Sequence, residues 1–130
     1  MSLETALRTF VLADAAVTSL AGTRMYPRKL PQTPVLPAIV YQRIDTRRMH
    51  DMAGPDGLPR PRFQVTCWAS NVGDAVTLAA AVRGRLDGYR GAWGDVTVGS
   101  CLCVGESDAD DPETGRVGVR QDYMIQHQEE

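Results

Sequence analysis

Between Ala38 and Ser70 the side chains alternate in character, and that period of two narrows the possible folds more than any other feature of the chain. Ile39, Tyr41 and Arg43 alternate with Val40, Gln42 and Ile44; Phe63, Val65, Cys67 and Ala69 share one face, and Gln64, Thr66 and Trp68 share the other. Successive strand side chains point to opposite faces, so the first run predicts a strand from Ala38 and the second a strand from about Arg62 to Ser70. Both are rich in the β-branched and aromatic residues that suit a pleated surface. A third strand is expected from Asp95 to about Val104 and a fourth from Arg116 to His127, joined by the acidic stretch Glu106 to Glu113. Gly91 to Gly94 reads as a turn.

Elsewhere the apolar period is helical. Ser2 can cap a first helix whose stripe is Leu3, Ala6, Leu7, Phe10 and Val11, with Glu4 and Arg8 placed to pair on the wet side. Asp14 can cap a short second turn, Ala15 to Leu20, closed by Gly22. Asn71 and Asp74 resemble a capping box ahead of Val72, Ala75, Val76, Ala79, Val82 and Leu86, a stripe that ends near Gly88. Pro27, Pro31, Pro34 and Pro37 make the segment before the first strand an extended, irregular connector.

The order α-β-β-α-β-β predicts one α+β domain over residues 1–130: a mostly antiparallel four-stranded sheet, helices on one face, and a long β-hairpin. At 130 residues the chain has room for one core, and its 43% hydrophobic content can fill it. Leu7, Phe10, Phe63, Val65, Val82 and Leu86 are the expected buried set. No apolar run reaches the roughly 20 residues that span a bilayer, and the first residues carry no leader pattern, so the expectation is a protein made in a cytoplasm with no membrane partner.

The residues offer little chemistry. Cys101-x-Cys103 has ligand-like spacing, yet only Cys67 and two distant histidines could complete a zinc set, and the reading is of reduced, structural thiols. The acidic stretch lacks the ligand pattern of a calcium loop. His50-Asp51 has no nucleophile in a recognisable elbow beside it, and no glycine-rich phosphate loop opens a helix. No catalytic residue, cofactor or metal ligand is therefore assigned. The net charge of −2 gives no global drive toward nucleic acid.

What remains points to assembly. The connection from Thr46 to Pro61 exceeds what two antiparallel strands need, and Gly54, Pro55, Gly57 and Pro59 disfavour helix and regular ladder alike. Met49, Met52 and Leu58 are apolar side chains that a small domain has little room to bury. Arg47, Arg48, Arg60 and Arg62 stand at its stems, with Arg43 nearby, and suit either a protein partner's carboxylates or phosphates. Trp68, on a mixed polar face, must be covered by the proline-rich connector or by another chain. These residues, Arg47, Arg48, Met49, Met52, Leu58, Arg60, Arg62 and Trp68, form the candidate interface. The rival readings are a nucleic-acid-binding module using the arginine stems, or a small enzyme with an unrecognised site.

Several blocks also carry a resemblance. Ser2-Leu3-Glu4-x-Ala6-Leu7, Leu12-Ala13-Asp14-Ala15-Ala16-Val17 and Arg24-Met25-Tyr26-Pro27 come first, then Leu36 to Gln42, Phe63 to Ala69, and Glu113-Thr114-Gly115 before the last strand. In order and spacing, over nearly the whole chain, they resemble the small tail-completion proteins (tail terminator, head–tail joining) of long-tailed phages and gene transfer agents. The resemblance implies a virion structural protein at the head-proximal end of the tail, forming a ring with itself, expected to be a hexamer. It implies two further partners, the tail tube protein and the head completion or connector protein, with DNA passing through the lumen without specific binding. It brings no catalytic residues.

Overall fold

Ser2 starts the first helix by accepting a hydrogen bond from the Thr5 N–H at 3.2 Å. In the computed structural model, which describes residues 2–47, 50–51, 54–55 and 60–127, α1 spans Leu3–Leu12 and buries Leu3, Ala6, Leu7 and Val11. Asp14 caps α2, Ala15–Ala21, through the Ala16 N–H at 2.9 Å, and Gly22 ends it at a φ of 58°. Glu4 and Arg8, predicted to lie on the wet side of this helix, both make ties far along the chain. Glu4 pairs with Arg43, and Arg8 donates to the carbonyls of Met25 and Thr23.

The sheet is larger than expected. Six strands lie in the order β1-β2-β5-β8-β7-β6. They are β1 Met25–Pro27, β2 Ala38–Arg47, β5 Arg60–Ala69, β6 Tyr89–Trp93, β7 Val96–Asp108 and β8 Val117–His127. The four predicted strands form the antiparallel centre, β2-β5-β8-β7, and the two unpredicted ones are its edges. β1 runs parallel to β2, with Met25 opposite Ile39. Its proline is tolerated because an edge strand leaves one side of its backbone unpaired. β6 replaces the turn expected from Gly91 to Gly94; a bulge between Tyr89 and Gly91 admits the glycine, and Trp93 is buried.

The long hairpin also differs from the expectation. The ladder continues through Thr46↔Pro61 to Arg47↔Arg60, so the connection is shorter than it read. Within it, β3 His50–Asp51 pairs with β4 Gly54–Pro55, two residues that were expected to disfavour a ladder. Met49, Met52, Leu58 and Arg48 lie outside the described residues.

One face of the sheet carries all three helices. α3, Val72–Leu86, begins at Asn71, which accepts from the Asp74 N–H at 2.8 Å and donates to the Asp74 carboxylate at 3.1 Å. It packs on β5, β8 and β7 and buries Ala75, Leu78, Ala79, Val82 and Leu86. Leu78 thus takes a place on the buried stripe, whereas Val72 and Val76 face outward at 62% and 52% exposure. The core joins α1, α2 and α3 to Phe63, Val65 and Cys67 of β5 and to Tyr123 and Ile125 of β8. Phe10 is only half-buried. It stacks on Trp93 with centroids 5.3 Å apart, and the Arg85 guanidinium lies 3.7 Å from its ring centre. Among the described residues no helix is long and apolar enough to cross a membrane.

Candidate functional site

Alternation along β5 sends Gln64, Thr66 and Trp68 to the face the helices leave open, and register decides what joins them. Thr66 lies opposite Val40 on β2 and Arg120 on β8, and Trp68 lies opposite Gly118. The connector brings Arg28, Lys29 and Leu30 to one rim, and the β7–β8 turn brings Asp111 and Arg116 to the other. The result is a concavity of about 400 Å³. Val40, Gln42, Gln64, Thr66 and Arg120 form its strand floor, Trp68 and Leu30 supply apolar surface, and its cations (Arg28, Lys29, Arg116, Arg120) face a single carboxylate, Asp111.

Two details show that this groove is built. Arg28 holds a φ of 70°, a conformation rarely adopted by a residue with a side chain, while its N–H donates to the Tyr41 carbonyl at 2.8 Å. Gly118 leaves room for the indole: a Cβ there would meet Trp68 ring carbons and the Ala109 carbonyl oxygen, all at 2.9 Å. Gly118→Ala should therefore cost about 1–3 kcal/mol in a urea titration and change the Trp68 emission, because the carbonyl cannot retreat without loosening the β7–β8 turn. An unchanged midpoint would mean that the ring does not rest on this glycine.

Of the predicted interface residues, the structure brings Trp68 into the groove and gives Arg62 to the adjoining part of the same face. There Arg62 pairs with Asp122 at 2.8 Å. Arg47 and Arg60 pair through their backbones at the end of the ladder, apart from the groove. Arg43 pairs with Glu4, so the described stem cations Arg43 and Arg62 both have carboxylates against them. Arg28, Lys29, Arg116 and Arg120 were missed. Alternation along β8 places Arg120 opposite in direction to Val119 and Gln121, but only register aligns it with Thr66.

A second, smaller concavity of about 240 Å³ lies on the helix-bearing face at the same end of the sheet. Val76 and Ala80 of α3 form one wall, and Glu106, Ser107 and Asp108 of β7 form the other. The first three residues of the predicted acidic loop are thus strand residues. Glu106 pairs with Arg83 and accepts from the buried Gln121 amide, both at 2.8 Å.

The thiols are poorly placed for nucleophilic chemistry. Burial pushes Cys67 and Cys101 up to about 12, and the half-buried Cys103 is raised for the same reason. Burial likewise raises the Tyr41 phenol. Among the described residues no three His, Cys, Asp or Glu side chains gather as a metal set.

The geometry is that of a domain with two recessed, charged surfaces at one end of its sheet. The family model described as tail completion protein gp17 matches residues 5–128. A chain from the virion of a native gene transfer agent particle superposes with a TM-score of 0.81 at 17% identity, over 98% of this chain and 95% of that one. At that identity the likeness establishes the fold. No curated protein matches the sequence.

Proposed function

Because the chain belongs to the tail completion protein gp17 family, we propose that its copies close into a ring that ends tail-tube growth and presents a docking surface to the head connector. Membership makes it a structural protein of a virion tail. The ring, the tube contact and the connector contact are the proposal, and the family match over residues 5–128 carries it. The gene transfer agent chain of the same fold comes from an assembled virion, which accords with such a place.

The mechanism is geometric. A contact between two different patches of one subunit closes into a ring when its rotation divides the circle, and the ring then offers one face to each neighbour. DNA passing through the lumen needs no specific contact. The carboxylates already paired with Arg43 and Arg62 favour a protein-facing role for the hairpin stems over a phosphate-binding one. No bond is made or broken in this account, so the proposed role is non-enzymatic.

The long hairpin is the assembly element in this reading, with Met49, Met52 and Leu58 as apolar contacts and Arg47, Arg48 and Arg60 as charged ones. The pairing of Arg47 with Arg60 allows a clean test. An Asn-Gly turn joining these two residues suits a two-residue hairpin and removes residues 48–59. The domain should keep its thermal midpoint within a few degrees, since loop closure entropy changes slowly with length. Tails assembled with this variant should be over-long or headless in electron micrographs. Normal, head-bearing tails would exclude the hairpin from assembly.

A further inference from the structure

The two recessed surfaces lie at one end of the sheet but on opposite faces. Register fixes this: Val119, opposite Cys67 and Asp108, belongs to the helix-bearing face, and Arg120, opposite Thr66, belongs to the open one. The Trp68 groove carries an excess of cations, whereas the α3 concavity holds Glu106, already paired with Arg83, and Asp108, the exposed carboxylate at its edge. Within one subunit the sheet itself stands between the two surfaces. Each surface also has an apolar part, Trp68 and Leu30 on one, Val76 and the exposed Val72 beside the other.

We infer that the Trp68 groove of one copy receives the Asp108-bearing edge and the Val72–Val76 ridge of α3 from a second copy. This rests on the ring reading and specifies its subunit contact. Because donor and acceptor patches are different surfaces on opposite faces, the contact is head-to-tail, the kind that propagates and can close into a ring. Opposite charge sets its register and its rate of formation, and the apolar parts exclude water from it.

A charge exchange on the full chain tests the contact. Lys29→Glu with Arg116→Glu inverts the groove rim, and Asp108→Arg inverts the acidic edge; all three positions are accessible enough to change without opening the core. Self-association is read by sedimentation equilibrium at low ionic strength up to millimolar protein, with circular dichroism and thermal midpoints confirming that each variant folds. The wild-type chain should self-associate, and more weakly in 0.5 M salt, where screening shortens the reach of charge to a few ångströms. Each variant alone should associate at least about tenfold more weakly. An equimolar mixture of the two variants should recover most of the loss, because an alternating arrangement matches every groove to an edge of opposite charge.

A wild-type chain that stays monomeric under these conditions overturns the contact, as does association that neither variant weakens. Unchanged self-association with lost retention of duplex DNA in the groove variant would also overturn it, assigning the cations to phosphate. None of these outcomes touches the ring itself. That reading fails separately, if tails made without the protein have normal length and carry heads.

Discussion

Leu86→Ala is expected to remove about 2–5 kcal/mol of stability, toward the upper end of that range. Leu86 is fully buried in the last turn of α3. Removing its outer carbons forfeits their transfer free energy and leaves a cavity, and the total depends on how far the surroundings can collapse. Here they have little freedom. The Arg85 Nε donates to the Phe10 carbonyl at 3.0 Å, which ties α3 to α1. The Asp87 carboxylate accepts from the Cys103 N–H at 2.9 Å, and the Gly88 N–H donates to the Cys101 carbonyl at 2.7 Å, which ties the helix end to β7. A helix fastened on both sides of the deletion cannot close over it. A denaturant titration measures the loss, and a change under about 1 kcal/mol would mean that the helix end yields or that Leu86 is not in the core.

Alkali is expected to unfold the protein well before it harms an ordinary domain. Burial, the largest cause, pushes the Cys67 and Cys101 thiols up to about 12 from an ordinary 9.0, and it raises the Tyr123 phenol above its ordinary 10.0. Below pH 9 both folded and unfolded chains hold these protons, and the stability is fully present. Above it the unfolded chain releases protons that the folded chain keeps, so ionisation draws the equilibrium toward unfolding. Each thiol should remove about 1.4 kcal/mol per pH unit through the window from 9 to 12, with Tyr123 adding to the slope above 10. Two such thiols together remove about 8 kcal/mol across that window, enough to exhaust a stability in the lower part of the usual range of about 5–15 kcal/mol. Urea midpoints at pH 8, 9.5 and 11 measure the fall, and Cys67→Ala should flatten it even though its cavity lowers the midpoint at pH 8. Iodoacetamide at pH 8 should reach Cys103 first and the other two only in denaturant. A midpoint flat to pH 11, or rapid labelling of all three thiols in the folded protein, would show that water reaches them.

The helices and the central strands were legible because each is specified by neighbours in sequence. Ser2, Asp14 and Asn71 are caps that act within three residues, and the period of two over Phe63 to Ala69 assigns those side chains to one face whatever the partner strand. The family was legible too, since blocks along the chain keep their order and spacing. Both edge strands were hidden because local signals disguise them. A proline ends β1 and three more follow it, and glycines mark β6 as a turn, although an edge needs hydrogen bonds on one side only. On α3, Val72 and Val76 match Ala75 and Ala79 in period, and only the angle at which the helix meets β5 and β8 admits Leu78 and leaves the valines in water.

The candidate surfaces were the least visible of all. Trp68 stood out alone, but its groove gathers residues from the connector, three strands and a turn, with Arg28 and Arg116 far apart in sequence. Gln121 shows the same limit within the core. It reads as one polar residue in an alternating strand, yet in the fold it is fully buried, donates to the Ala79 carbonyl and the Glu106 carboxylate, and accepts from Tyr123. Sequence by itself determined which faces are apolar and where elements begin, because capping and periodicity act over a few residues. Tertiary structure decided which charges meet across the sheet and which stay unpaired, because pairing register and helix docking set distances between residues tens of positions apart.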